Sequence, residues 1–155
     1  MQAAPIDLPT LPRGMGGTAA RARLLCVEDN PVNAALLSEL LEMRPGVQYM
    51  ICADGESALA AANDLVPDMF LLDMHFPEMS GTRLMLKFRA DARHARGRYI
   101  ALSADAMPTQ IEAARSAGFD AYWTKPLDVH DFLAALDDMV HAMRQRLALS
   151  GQDAR

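Results

Sequence analysis

Short apolar runs alternate along the chain with longer stretches in which apolar residues return every third or fourth position. Leu24–Val27, Val47–Cys52, Met69–Leu72, Tyr99–Leu102 and Ala121–Thr124 have the length of buried strands, the second weakened by Gln48. Between them lie helical stretches. Asn30 offers an N-cap and Pro31 the first helical position for a helix to about Met43, with Ala34, Leu37, Leu40 and Leu41 on one side and Pro45-Gly46 as its stop. Asp54-Gly55 reads as a turn before an Ala-rich helix from Glu56 to about Leu65. A third helix spans Thr82 to Arg89, followed by a polar loop from Asp91 to Gly97. Pro108 opens the fourth and Gly118 ends it. Asp128 caps the last helix, whose Val129, Phe132, Leu133, Leu136, Val140 and Met143 follow the spacing of one amphipathic face.

Strict alternation of five strands and five helices, without internal repeats, predicts an α/β fold. The expected form is a five-stranded doubly wound parallel sheet with helices on both faces and right-handed crossovers. Strand order 2-1-3-4-5 is the simplest candidate, although periodicity does not fix it. Residues 1–20 carry Pro5, Pro9, Pro12, Gly14, Gly16 and Gly17 without a hydrophobic period, so they read as a flexible tail or linker. The domain is expected over residues 21–149, with 150–155 frayed.

Composition narrows the function classes. The 155 residues are 51% hydrophobic and 23% charged, enough apolar material for one domain with a real core. A net charge of −5 gives no broad basic footprint for nucleic acid. No apolar run approaches the roughly 18 residues of a membrane span, and no secretory signal opens the chain. Cys26 and Cys52 sit in apolar runs and read as buried free thiols of a cytoplasmic protein. The 11 methionines are scattered, which suits core filling rather than a cofactor box.

In a parallel sheet of this kind all strand carboxyl ends share one edge, where open α/β sheets place their ligands. The residues at those ends are Glu28 and Asp29, then Asp73, Ser103 and Lys125. Crowded carboxylates repel, and a hard divalent cation such as Mg²⁺ relieves that repulsion. Singly, each residue has a plainer role: helix-terminal acids for Glu28-Asp29, a loop cap for Ser103, a solvated charge for Lys125. Jointly they suit phosphoryl transfer, with Asp73 as nucleophile, Lys125 and a cation as positive charge, and Ser103 as hydroxyl donor.

The segments Val27-Glu28-Asp29-Asn30-Pro31-Val32-Asn33, Leu72-Asp73 through Pro77-Glu78-Met79-Ser80-Gly81, Ala101-Leu102-Ser103-Ala104 and Lys125-Pro126 resemble the receiver domain of two-component response regulators. The resemblance covers about residues 22–146 and implies the flavodoxin-like, CheY-like fold. It implies that Asp73 accepts a phosphoryl group from a phosphohistidine on a histidine kinase or histidine phosphotransfer domain. Glu28, Asp29, Asp73 and the backbone carbonyl of His75 would hold Mg²⁺. Lys125 would pair with the phosphoryl group, and Ser103 would move to bond it while Tyr122 changes rotamer. The Lys125–Pro126 bond is expected cis. The signal would be a two-state shift of the surface formed by the fourth helix, fifth strand and fifth helix, which could also support a homodimer. Such a protein takes a phosphoryl group onto itself, with possible autodephosphorylation, and is not a conventional enzyme.

Two positions that vary in the family the chain resembles stand out. His75 is second after the phosphoacceptor and Asp105 second after Ser103, and a His75–Asp105 contact across the site mouth is expected to tune phosphoryl lifetime. The wording of the motifs is most similar to receivers attached to hybrid histidine kinases, so the chain is either a stand-alone receiver or part of such a kinase. Its downstream partner is then a separate protein or another part of the same chain, with no nucleic-acid or membrane contact by these residues. The rival reading is a pseudo-receiver that binds proteins without phosphorylation, against which the intact acids, Ser103 and Lys125 stand. An aspartyl-phosphate phosphatase would want a second acid where His75 stands. A flavin site would want a Ser/Thr/Gly-rich loop where the chain has Glu-Asp-Asn-Pro.

Overall fold

The structure, a computed structural model, describes residues 22–76 and 78–152. The expected tail at residues 1–20 and the start at Arg21 lie outside them. Five parallel strands, β1 (Ala22–Val27), β2 (Val47–Cys52), β3 (Met69–Asp73), β4 (Arg98–Ser103) and β5 (Ala121–Thr124), form one sheet in the order β2-β1-β3-β4-β5. Helices α1 (Pro31–Glu42), α2 (Gly55–Leu65), α3 (Gly81–Arg89), α4 (Pro108–Ala117) and α5 (Val129–Gln152) connect and flank them. The expected α/β class and strand order are both found.

Strand β3 is central, and every one of its residues is buried. It is registered on both sides, with Val27 opposite Leu72 on β1 and Leu102 opposite Asp73 on β4. Alternate side chains feed two core layers, as a pleated strand requires. Phe70 and Leu72, with Leu25, Val27 and Tyr99, pack against Ala58, Leu84, Phe88 and Ala114 of α2, α3 and α4. Met69 and Leu71, with Leu24, Cys26 and Ile100, pack against Leu37 and Leu41 of α1 and Phe132 and Leu136 of α5. Both cysteines are buried and free, and no helix among the described residues is long and apolar enough to cross a membrane.

Several local expectations are corrected. Asp54 is a helix cap rather than part of a turn: its Oδ1 accepts from the Ser57 N–H at 2.7 Å, and Gly55 is already helical. Ser80 does the same for α3, its Oγ accepting from the Arg83 N–H, so α3 begins at Gly81. A two-residue antiparallel ladder, His75–Phe76 against Met79–Ser80, folds back between β3 and α3. Val129, placed on the buried face of α5 by its spacing, is 45% exposed; the whole first turn is exposed through Asp131, and Phe132 is the first residue of the helix to reach the core. Helix α5 is described as far as Gln152.

The polar-looking loop after α3 hides one core residue. His94 is only 3% exposed, edge-on to the rings of Phe70 and Phe88, each 5.8 Å away. Phe70 stacks on Tyr99 at 4.4 Å, and the Arg89 guanidinium covers Tyr99 from 4.3 Å. Gly97 lets this loop close, since a Cβ there would stand 2.6 Å from Phe70 Cε2.

Candidate functional site

Each site residue is delivered by the end of a strand. The Glu28 N–H donates to the Cys52 carbonyl, the Met74 N–H to the Leu102 carbonyl and the Lys125 N–H to the Ser103 carbonyl, so the ladder hydrogen bonds extend to the sheet edge. The loop after β3 is held against the strand by Gly81, whose N–H donates to the Met74 carbonyl. A Cβ at Gly81 would lie 2.5 Å from the Asp73 carbonyl oxygen, closer than real Cβ atoms come. Glycine is therefore required there for the loop's close approach.

These constraints place Glu28, Asp73 and Lys125 in direct contact. Lys125 Nζ donates to Asp73 Oδ2 at 2.9 Å and stands 2.8 Å from Glu28 Oε2. The other Asp73 oxygen, Oδ1, accepts from the His75 N–H at 3.0 Å, and Glu28 Oε1 accepts from the Asn30 N–H at 3.1 Å. The Glu28 side chain is fully enclosed and that of Asp73 only 5% exposed, whereas Asp29 is open to solvent. Carboxylate oxygens of Glu28, Asp29 and Asp73 all lie within 4.8 Å of one another.

One lysine cannot neutralise three carboxylates. Burial pushes the Glu28 carboxyl above its usual range, the contact with Lys125 and the Asn30 N–H pull it back, and the Asp73 charge raises it again. Burial also works against the Lys125 charge, yet the two carboxylates it touches outweigh that and hold the ammonium above its usual range. Glu28 Oε2 is at ion-pair distance from Lys125 without the alignment of a hydrogen bond, so this buried oxygen keeps an unserved lone pair. An all-oxygen set with surplus negative charge and one such oxygen fits a hard divalent cation better than a transition metal.

Ser103, 1% exposed, lies one residue beyond the Asp73–Leu102 register pair, and its Oγ accepts from the Asp105 N–H at 3.0 Å. Tyr122 is brought in from β5. Its hydroxyl donates to the Asp105 carbonyl at 2.5 Å, tying that strand to the loop that carries Ser103. The expected His75–Asp105 contact is not present. His75 is exposed, and Asp105 Oδ1 instead accepts from the Met107 N–H ahead of α4; among the described residues no hydrogen bond or ion pair joins the two. A short polar side chain before a helix is satisfied locally at little entropic cost, which spacing alone did not show. The Lys125–Pro126 bond is cis, as the resemblance implied. Sequence reading missed the Glu28–Lys125 contact and the Tyr122–Asp105 tie, since neither has a signal in spacing.

Residues 24–137 match the response regulator receiver domain. The polar-differentiation response regulator DivK of Brucella ovis is 32% identical over 113 residues, covering 73% of this chain and 91% of that protein. The receiver domain of sensor histidine kinase PA1611 from Pseudomonas aeruginosa superposes with a TM-score of 0.69 at 30% identity, covering 79% of this chain and 99% of that one; it carries a magnesium ion coordinated in its active-site cleft. The chemotaxis protein CheY4 of Vibrio cholerae shares the fold, with a TM-score of 0.71 at 23% identity over 77% of this chain and 98% of its own. With the match spanning most of the chain, and the acids and lysine gathered at one sheet edge, the protein belongs to the response regulator receiver domain family of two-component signalling.

Proposed function

We propose that this receiver accepts a phosphoryl group on Asp73, from a phosphohistidine on a histidine kinase or phosphotransfer domain, in a Mg²⁺-dependent step. The observation that carries the reading is Lys125 bridging Glu28 and Asp73 beside Asp29, an arrangement charged for a cation and a phosphoryl group together. A carboxylate oxygen of Asp73 forms the new P–O bond as the P–N bond to the histidine breaks, and the departing imidazole nitrogen takes up a proton. Lys125 follows the transferring oxygens and leaves the carboxylates for them, which stabilises charge that develops in transfer. Bound Mg²⁺ would be held by Glu28, Asp29, Asp73 and the His75 carbonyl, and would supply the remaining positive charge. The enclosure of Asp73 admits only the tip of a donor side chain and limits water.

Exposed Val32 (77%) and Leu36 (39%) on α1, with Leu127 beside the site, offer an apolar seat for a helical phosphohistidine donor. After transfer, Ser103 bonds the phosphoryl group, its loop shifts, and the Tyr122–Asp105 tie carries the shift to the α4-β5-α5 surface. That surface, bearing exposed Met107 and Val129, meets a downstream protein, a same-chain partner or a second copy. His75 sits at the mouth and Asp105 shapes the loop, and each sets phosphoryl lifetime separately. The setting is cytoplasmic, as a free receiver or as part of a hybrid histidine kinase. Incubation with phosphoramidate and Mg²⁺, followed by intact-mass measurement, tests the step. One added phosphoryl group that is lost in Asp73→Asn supports it; no adduct under any condition would make the chain a phosphorylation-independent binding module.

A further inference from the structure

The end of the sheet away from Asp73 holds a second cavity that phosphoryl chemistry does not use. It lies beyond the first residue of β3, about 13 Å along that strand from Asp73 at roughly 3.3 Å per residue. The cavity is half-enclosed, about 310 Å³, at the lower end of the range for small-molecule sites. Arg23 of β1, Arg93 and Arg96 of the α3–β4 loop, Arg98 of β4 and Arg146 of α5 line it. Five of the chain's 15 basic residues thus face one space in a protein of net charge −5, with Asp68 as the acid among the described lining residues.

Two of these arginines serve the fold. Arg23 donates to the Leu65 carbonyl at 3.2 Å and stands 3.8 Å from Asp68, while Arg93 forks onto Asp91 and reaches Asn63 at 2.7 Å. Arg96 and Arg98 are different. Their side chains have no hydrogen bond or ion pair among the described residues, although the Arg98 backbone N–H donates to the Asp68 carbonyl, and the chain turns at Gly97 so that both line the same cavity. Gathering unanswered like charges works against folding unless an anion answers them.

The remaining wall is apolar. Met69, Met139 and Met143 contribute polarisable surface, and Val66 stands beside them in the left-handed region at φ 47°, where a branched side chain is sterically costly. A backbone held in that region next to a cavity is a feature typical of ligand sites. Guanidinium groups match phosphate with paired donors and stack on flat rings, and thioethers accept an apolar or aromatic body.

We propose that this cavity binds an organic phosphate of nucleotide size, with Arg96 and Arg98 on the phosphate and the methionine wall against the base. The site is independent of Asp73 and of its phosphorylation. Fluorescence polarisation of the full chain with N-methylanthraniloyl-labelled GDP and ADP tests it, with unlabelled nucleotides, adenosine, inorganic phosphate and a polyglutamate peptide as competitors. Saturable binding is expected, weakened about tenfold by each of Arg96→Glu and Arg98→Glu through loss of a charge-assisted contact. Nucleotides should compete better than adenosine or inorganic phosphate, and Asp73→Asn should bind like the unaltered chain. Because both side chains are exposed and form no hydrogen bond or ion pair among the described residues, the variants should melt no lower than the parent, which separates lost binding from lost fold. No binding at millimolar nucleotide, or equal binding by the double variant, overturns the proposal. Stronger competition by polyglutamate would assign the face to an acidic protein segment, and phosphate competing as well as nucleotides would remove the base-binding wall; either result also overturns it.

Discussion

Replacing Lys125 with methionine keeps the length of the side chain and removes the one cation among the described residues that touches both Glu28 and Asp73. Leaving buried charge uncompensated in this way costs about 3–5 kcal/mol. The Lys125 side chain is 21% exposed, so water replaces part of its charge and the expected loss falls to about 2–3 kcal/mol. In a domain of this size about 1 kcal/mol moves the melting temperature by roughly 4 °C, so Lys125→Met should melt roughly 8–12 °C lower in metal-free buffer. Two conditions should shrink that deficit. Glu28 has a raised carboxyl pKa, chiefly from burial, and it rises further without Lys125. A carboxyl that holds its proton more tightly folded than unfolded weakens the fold as pH rises through its folded value and strengthens it on acidification, so the deficit should narrow from about pH 8 to about pH 5. Mg²⁺ should do the same near neutral pH, because an ion at ten times its dissociation constant stabilises the state that binds it by about 1.4 kcal/mol, and the variant binds it more tightly. Differential scanning fluorimetry with and without Mg²⁺ at several pH values measures all three effects. A variant melting within about 2 °C of the parent, or a deficit indifferent to both pH and Mg²⁺, would refute the reasoning.

Gly81→Ala puts a methyl group against the Asp73 carbonyl and should cost about 1–3 kcal/mol by overpacking, read by urea denaturation, while weakening Mg²⁺ binding because the loop carrying the His75 carbonyl must move. His94 is enclosed by Phe70 and Phe88, and burial holds its pKa below 6.5, so its neutral form is favoured when folded. Its contribution to stability is complete above 6.5 and is lost as pH falls through the folded value; the melting temperature of the parent should therefore drop relative to His94→Phe on acidification, and parallel pH profiles would contradict this.

The fold was legible because Leu24–Val27, Met69–Leu72 and Tyr99–Leu102 of β1, β3 and β4 are buried on both faces and so form unbroken apolar runs, and because Asn30-Pro31, Pro108 and Gly118 punctuate the helices without ambiguity. Glu28, Asp29, Asp73, Ser103 and Lys125 could be gathered on paper since a parallel sheet sends all strand ends to one edge. What stayed hidden has physical reasons. Asp54 and Ser80 look like turn residues because the same short polar side chains serve turns and N-caps. His94 is polar by type and lies in a charged loop, so nothing local reveals that it completes an aromatic cluster. Asp105 could not be paired from its number alone, because its nearest donor is a backbone N–H two residues on. The arginine cavity is assembled from four separate segments of chain, with no motif in any of them.

Chemical trapping addresses Asp73 most directly. An acyl phosphate on aspartate is reduced by borohydride to homoserine, which marks the residue in a peptide map. After phosphoramidate treatment with Mg²⁺, the mark should fall on Asp73 and on no other acid, and should vanish when EDTA replaces the metal. Homoserine at Asp29, 2-amino-5-hydroxyvaleric acid at Glu28, or a mark on Asp73 that forms equally well without Mg²⁺, would contradict the assignment of nucleophile and metal-binding acids.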